Sequence, residues 1–117
     1  MSIRILHNPR CSKSRQTLAI LEDSNCDIEI IDYLNDAPRK EELEHICKLL
    51  SCSAEKLVRK KEALFKSLSI DSSIMSESDW LDLLSENPKL IERPIVIKGG
   101  QARIGRPPEA VLEIIGD

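Results

Sequence analysis

Ile3 and Ile5 alternate with Arg4 near the start of the chain, and the run Ile3 to His7 reads as a β-strand. Past Pro9 and Cys11 the period changes. Ser14, Thr17, Leu18 and Leu21 recur at helical spacing, which predicts a helix from about Ser12 to Asp23, closed by Ser24-Asn25. Asp27 to Leu34, with Ile28, Ile30 and Ile31, predicts a second strand. Strand, helix and strand in so short a span form a βαβ unit, with two parallel strands and a right-handed crossover.

The pattern then stays helical, without a strand signal, from Ala37 to Asn87. Pro38 suits a first turn, Glu41 and Glu42 complement the helix dipole, and Leu43, Ile46, Cys47 and Leu50 form an apolar stripe. Ala54 to Lys61 and Ala63 to Leu68 predict short helices. Ser76-Glu77-Ser78-Asp79 resembles a capping box and opens a helix with Trp80, Leu83 and Leu84, stopped by Asn87-Pro88. Pro94 to Ile97 then predicts a strand, Gly99-Gly100 a two-residue hairpin turn and Gln101 to Ile104 the returning strand. After Pro107-Pro108 a last helix places Val111, Leu112 and Ile115 on one face. Without the helical block the order is βαβ-ββα, the thioredoxin arrangement. The expected fold is α/β: one thioredoxin/glutaredoxin-like domain over residues 1–117 with a four-stranded mixed sheet. Residues 1–35 and 92–117 are its core and 36–91 a helical insertion, helical at about residues 37–87.

Composition narrows the partners. A chain of 117 residues suits one modest core, and with only Tyr33, Phe65 and Trp80 as aromatics that core must be aliphatic. A net charge of −3 gives no electrostatic case for nucleic acid or an anionic membrane. No apolar run approaches the ~20 residues of a membrane span, and a strand beginning at Ile3 does not fit a signal peptide. The four cysteines, at 11, 26, 47 and 52, contain no C-x-x-C pair, and no histidine pair suggests a zinc site. The expectation is a cytoplasmic monomer with reduced thiols and no bound metal or cofactor.

Cys11 is the candidate for chemistry. It sits where the first strand turns into the first helix, with His7, Arg10, Lys13 and Arg15 close by in sequence. Unpaired N–H groups at a helix start, the dipole and nearby cations all favour a thiolate over a thiol. A phosphatase loop would need an arginine six positions after the cysteine, where Thr17 stands. A dithiol redox motif would need a cysteine at position 14, where Ser14 stands. The C-x-x-S form can still attack, hold a mixed adduct and pass it to another thiol. The Ser14 hydroxyl could donate to the sulfur or be an ordinary polar residue near a helix start.

Four separated motifs carry a family resemblance: His7-Asn8-Pro9-x-Cys11-x-x-Ser14-Arg15, Leu57-Val58-Arg59-Lys60, Glu92-Arg93-Pro94-Ile95-Val96 and Arg103-Ile104-Gly105-Arg106-Pro107. In this order they span nearly the whole chain, which resembles the glutaredoxin-linked arsenate reductases, the ArsC family. The resemblance implies that Cys11 is the nucleophile, that Arg59, Arg93 and Arg106 hold the oxyanion, and that His7 and Ser14 keep Cys11 ionised. It implies structural roles for Asn8 and Arg15, a cis bond before Pro94, and electrons from glutathione and glutaredoxin. Where the characterised reductases carry Gly-Thr after the nucleophile, this chain has Ser12-Lys13. Two other readings remain open at this point: a redox-sensing regulator of the Spx kind that binds RNA polymerase, and a monothiol oxidoreductase acting on glutathione mixed disulfides.

Overall fold

Strand β1 (Ser2–Leu6) runs between two partners. β2 (Asp27–Ile31) pairs with it in parallel, Ile3 opposite Ile28 and Ile5 opposite Ile30. β3 (Ile95–Lys98) pairs antiparallel on the other side, Ile5 opposite Val96 and Leu6 opposite Ile95. β4 (Gln101–Ile104) continues antiparallel beside β3, giving the order β2-β1-β3-β4. This computed structural model describes residues 2–24 and 26–115. The chain divides into two compact units, Met1–Asp36 with Arg93–Asp117, and Ala37–Glu92.

The first unit holds the whole sheet, helix α1 (Ser12–Glu22), and a 3-10 turn, Pro108–Val111, that leads into α5 (Leu112–Ile115). The mixed sheet and the βαβ-ββα order are those expected from the sequence. Alternation along the strands sends Ile3, Ile5 and Val96 to one face, where Leu21 of α1 and Val111, Ile114 and Ile115 pack on them. Each such side chain contributes about 1.5–3 kcal/mol when fully buried. On the opposite face Leu6, Ile95 and Ile97 are buried too, so β3 is apolar on both sides.

The last helix corrects one expectation. Leu112 is 52% exposed, and Ile114 takes the core position foreseen for it. The preceding turn advances three residues per turn rather than 3.6, which shifts the phase of every residue after it. β2 also ends earlier than expected, at Ile31. Helix α1 ends at Glu22, with the Asp23 N–H donating to Ala19 O at 3.1 Å; Asn25, expected to help close it, lies outside the described residues. The hairpin turns at Gly99, whose φ of +58° is the left-handed conformation that glycine adopts freely.

The second unit contains α2 (Lys40–Leu50), α3 (Ala63–Ser67) and α4 (Glu77–Glu86), with three short 3-10 turns. Of the expected stripe along α2, Leu43, Ile46 and Cys47 are buried and Leu50 is half-buried. Pro38 precedes the helix instead of opening it: Arg39 is the extended N-cap, and Glu42 accepts its N–H. Ser76 and Asp79 form the foreseen capping box, each side chain accepting the other's N–H at 3.1 and 3.0 Å. The helix expected over Ala54 to Lys61 shrinks to the turn Ala54–Leu57. Val58 instead forms an antiparallel bridge with Ile91, flanked by Arg59 N–H to Leu90 O and Glu92 N–H to Leu57 O, both 2.7 Å. A region with no strand signal thus holds one bridge, because the backbone of Leu57 to Arg59 finds its partners far along the chain.

Gly105 joins the sheet to α1 at close quarters. Its N–H donates to Pro94 O at 2.9 Å, and a Cβ at this position would lie 2.8 Å from Pro94 Cγ and closer still to Thr17 Oγ1. Gly105→Ala is expected to lower stability by about 1–3 kcal/mol, as overpacking does. Urea unfolding measures this; a midpoint equal to wild type would contradict the close approach.

Candidate active site

Beyond β1 the chain continues one residue in register, with the His7 N–H donating to Ile31 O at 3.1 Å, and then turns. Asn8 shapes the turn: its Oδ1 accepts the Arg10 N–H and its carbonyl the Cys11 N–H, both at 3.0 Å. Cys11 is the N-cap of α1, with extended backbone (φ −95°, ψ 122°), and its carbonyl accepts the Arg15 N–H at 3.0 Å. N-caps are usually oxygen-bearing side chains that accept first-turn N–H groups. Here no side chain caps the helix and no acidic residue lies in its first turn, so the positive end of the helix is left to the sulfur.

A guanidinium completes the electrostatics. Arg106 Nη2 donates to Cys11 Sγ at 3.5 Å, while its Nε donates to the Arg93 carbonyl at 2.7 Å. The Arg93–Pro94 bond is cis, as the family resemblance implied. Arg106–Pro107 is cis as well, which nothing in the sequence had indicated. Cys11 is only 9% exposed, so little of the residue meets solvent.

Ser14 and His7 form a buried pair. His7 Nδ1 lies 2.6 Å from Ser14 Oγ, and that oxygen also accepts the Asn8 N–H at 3.0 Å. The hydroxyl is therefore used to join strand end to helix start, where a bond to the sulfur had been one possibility. Burial, followed by the nearby Arg15 charge, holds the His7 pKa below its ordinary 6.5, against a smaller opposing pull from Asp32. His7 is thus a neutral imidazole at neutral pH, and any help it gives Cys11 comes through Ser14 rather than through charge. Arg15 braces the loop by donating to Pro9 O at 2.9 Å.

His7, Asn8, Cys11, Ser14, Arg15, Arg93, Pro94 and Arg106 thus all belong to the first unit. Arg59 belongs to the second, where its side chain pairs with Glu62 and lies 3.7 Å from Glu92. Arg103 is occupied elsewhere, donating to Glu113 at 3.1 Å and to Ala102 O at 2.7 Å. The sequence reading missed Thr17 and Gly105, whose contact seats α1 against the Pro94 turn; a lone glycine where β4 ends was the available signal. Among the described residues no group of three or more His, Cys, Asp or Glu side chains is placed to hold a metal ion. No helix among them is long and apolar enough to cross a membrane.

A four-stranded mixed sheet in the order β2-β1-β3-β4, with a cysteine at the uncapped start of its first helix, defines an α/β protein of the thioredoxin-like fold class. Comparison with known proteins narrows this. The ArsC family model matches residues 6–114. The chain is 47% identical to the arsenate reductase of Haemophilus influenzae over 98% of its own length and 100% of that protein's. It is also 47% identical to the uncharacterized protein YfgD of Escherichia coli K12, over 97% of each chain. It superposes on the structure of an arsenate reductase from Vibrio cholerae with a TM-score of 0.93 at 48% identity, covering 97% of this chain and 98% of that one. The chain belongs to the ArsC family.

The lowered His7 pKa has a consequence for stability. The unfolded chain takes up the His7 proton near pH 6.5, and the folded chain only below that, so acidification through this window favours unfolding. Stability measured by denaturant midpoints is expected to fall as pH drops below about 6.5, and His7→Gln to flatten that slope. An equal slope in the variant would show that His7 is not the group responsible.

Proposed function

We propose that this protein is an arsenate reductase that draws its electrons from glutathione and glutaredoxin. The observation that carries the reading is the Cys11 sulfur at the N-cap of α1 with Arg106 Nη2 3.5 Å away. Names of close relatives as arsenate reductases support it.

Arsenate is mostly a dianion near neutral pH, so an attacking thiolate approaches a like charge. Guanidiniums offset that repulsion and orient the arsenic through paired N–H groups. Arg106 is assigned this role from its place beside the sulfur, and Arg93 and Arg59 on the family resemblance alone. Cys11 sulfur bonds to arsenic as an oxygen leaves as hydroxide or water, and the guanidiniums stabilise the charge that develops on oxygen. Glutathione then supplies the second thiol. Cys11 and glutathione together give two electrons, arsenic leaves as the trivalent species, and a mixed disulfide stays on Cys11. Glutaredoxin takes over that glutathione and returns Cys11 to the thiol. The reading includes a cytoplasmic monomer that needs no bound cofactor. Ser14 in place of a second cysteine disfavours an internal dithiol switch, as a polymerase-binding regulator of the Spx kind would often use. A monothiol oxidoreductase would not require three oxyanion-binding arginines.

The test is arsenate-dependent NADPH consumption coupled through glutathione reductase, glutathione and a glutaredoxin. Cys11→Ser is expected to abolish turnover. Arg106→Ala is expected to lower kcat/KM about a hundredfold, near 3 kcal/mol, the usual cost of one oxyanion-stabilising donor. Turnover that persists in Cys11→Ser would sink the mechanism. An inactive wild type whose Cys11 still alkylates rapidly at neutral pH would overturn arsenate as the substrate.

A further inference from the structure

Two of the remaining cysteines, Cys47 and Cys52, meet at the far end of α2. The helix closes at Ser51, whose φ of 57° and ψ of 43° turn the chain back on itself. The Cys52 N–H donates to Cys47 O and the Ser51 N–H to Lys48 O, both at 3.1 Å. These are the two bonds of a Schellman motif, in which the residue two past the helix commonly packs on the fourth from its end. That contact is usually hydrocarbon on hydrocarbon. Here both of those positions carry a thiol. Both are free, and both line an open cleft of about 590 Å³ whose wall also includes Lys48, Ser51 and the carboxylates of Glu44 and Glu77. Cys47 is buried apart from this wall and Cys52 is half-buried, so the pair is reached from one side.

We propose that Cys47 and Cys52 form a dithiol site for trivalent arsenic. Arsenous acid, three-coordinate and pyramidal, condenses with the two thiols: two As–O and two S–H bonds break, two As–S bonds form and two waters leave. Arsenic stays trivalent and keeps one hydroxyl, so no oxidant or reductant is needed. The site takes the product class of the proposed reaction, and it rests on that reading only for where trivalent arsenic arises.

The surroundings select this ligand over others. Glu44 and Glu77 oppose an arsenate dianion but not neutral arsenous acid. A tetrahedral metal ion would need more ligands than the two sulfurs, and among the described residues no group of three is placed for one. Burial first, then the neighbouring Cys52 and Glu77, push the Cys47 pKa up to about 12, and burial raises that of Cys52. Both are therefore thiols at neutral pH. That makes them slow in thiol–disulfide exchange, which needs a thiolate. Condensation with As–OH groups is not slowed in that way, since the thiol protons leave in the water formed.

The experiment uses the full chain in a Cys11→Ser background, reduced and titrated with phenylarsine oxide, so that it succeeds or fails independently of arsenate turnover. One phenylarsenic group per chain is expected by intact mass, with two thiols lost to alkylation. The adduct is expected to survive excess glutathione and to be removed by dimercaptopropanol. Adding Cys52→Ala or Cys47→Ser is expected to weaken retention roughly a hundredfold or more, the loss of one of two linked attachments. Cys26→Ser is expected to change nothing. Cys52 is half-buried and beyond the helix, so Cys52→Ala, checked by circular dichroism, carries the test if the Cys47 variant fails to fold. No adduct in the Cys11→Ser chain, retention undiminished by Cys52→Ala, or loss on Cys26→Ser would each overturn the site.

Discussion

Ser14 carries a hydroxyl out of reach of solvent, and two groups meet it there: His7 Nδ1 at 2.6 Å and the Asn8 N–H at 3.0 Å. Leaving such a group unpaired costs about 1–3 kcal/mol, so the pairing is strongly enforced. Its consequence is positional. His7 and Asn8 end the strand and Ser14 lies one turn into the helix, so the bonds pin both sides of the loop that carries Cys11. A thiol at position 14 would be a weak donor and acceptor and would hold this junction poorly. The second cysteine that a dithiol motif would require is thus replaced by the group that locates the first.

Charge at the sulfur then comes from two directions, neither of which is His7. The uncapped start of α1 supplies one, and Arg106 the other. Arg106 is aimed by its Nε bond to the Arg93 carbonyl, immediately before β3, and Pro94 O in turn accepts the Gly105 N–H. Those bonds link the entry of β3 to the exit of β4. The sheet therefore sets where the guanidinium stands relative to the sulfur, and the absence of a side chain at Gly105 lets α1 come close enough for this to work. Neutral His7 fits the same picture: a buried charge on the imidazole, with the Arg15 guanidinium nearby, would be unfavourable, and the ring serves better as a hydrogen-bond partner.

Much of this was legible because period and punctuation are local. Alternation at Ile3 and Ile5, the helical spacing from Ser14 to Leu21 and the hairpin glycines needed no knowledge of distant residues. What escaped was decided at long range or by small changes of phase. The backbone around Val58 reads as helix until its pairing with Ile91 is seen. Leu112 and Ile114 exchange roles because of one 3-10 turn. The apolar residues read along α4 are Trp80, Leu83 and Leu84, and Leu81 proves to be buried beside Trp80 and Leu84. Arg59 could be named from its motif, but its engagement with Glu62 and Glu92 could not, since carboxylate partners leave no periodic trace. The direction of the Ser14 hydroxyl was open in sequence because both readings satisfy the same spacing.

Sulfur chemistry in this chain is set by which end of a helix the sulfur occupies. Cys11 stands at the positive start of α1, without carboxylates in the first turn and with a guanidinium beside it. That setting places positive potential around the sulfur, which suits an anionic partner. Cys47 and Cys52 stand at the closing turn of α2, where the dipole is negative and Glu44 and Glu77 line the cleft. Those thiols keep their protons, which suits a neutral electrophile that removes the protons as water. The same side chain thus meets opposite fields at the two helix ends. The electrostatics that would draw a pentavalent oxyanion to Cys11 would turn it away from the dithiol, while its neutral trivalent counterpart meets no such barrier there.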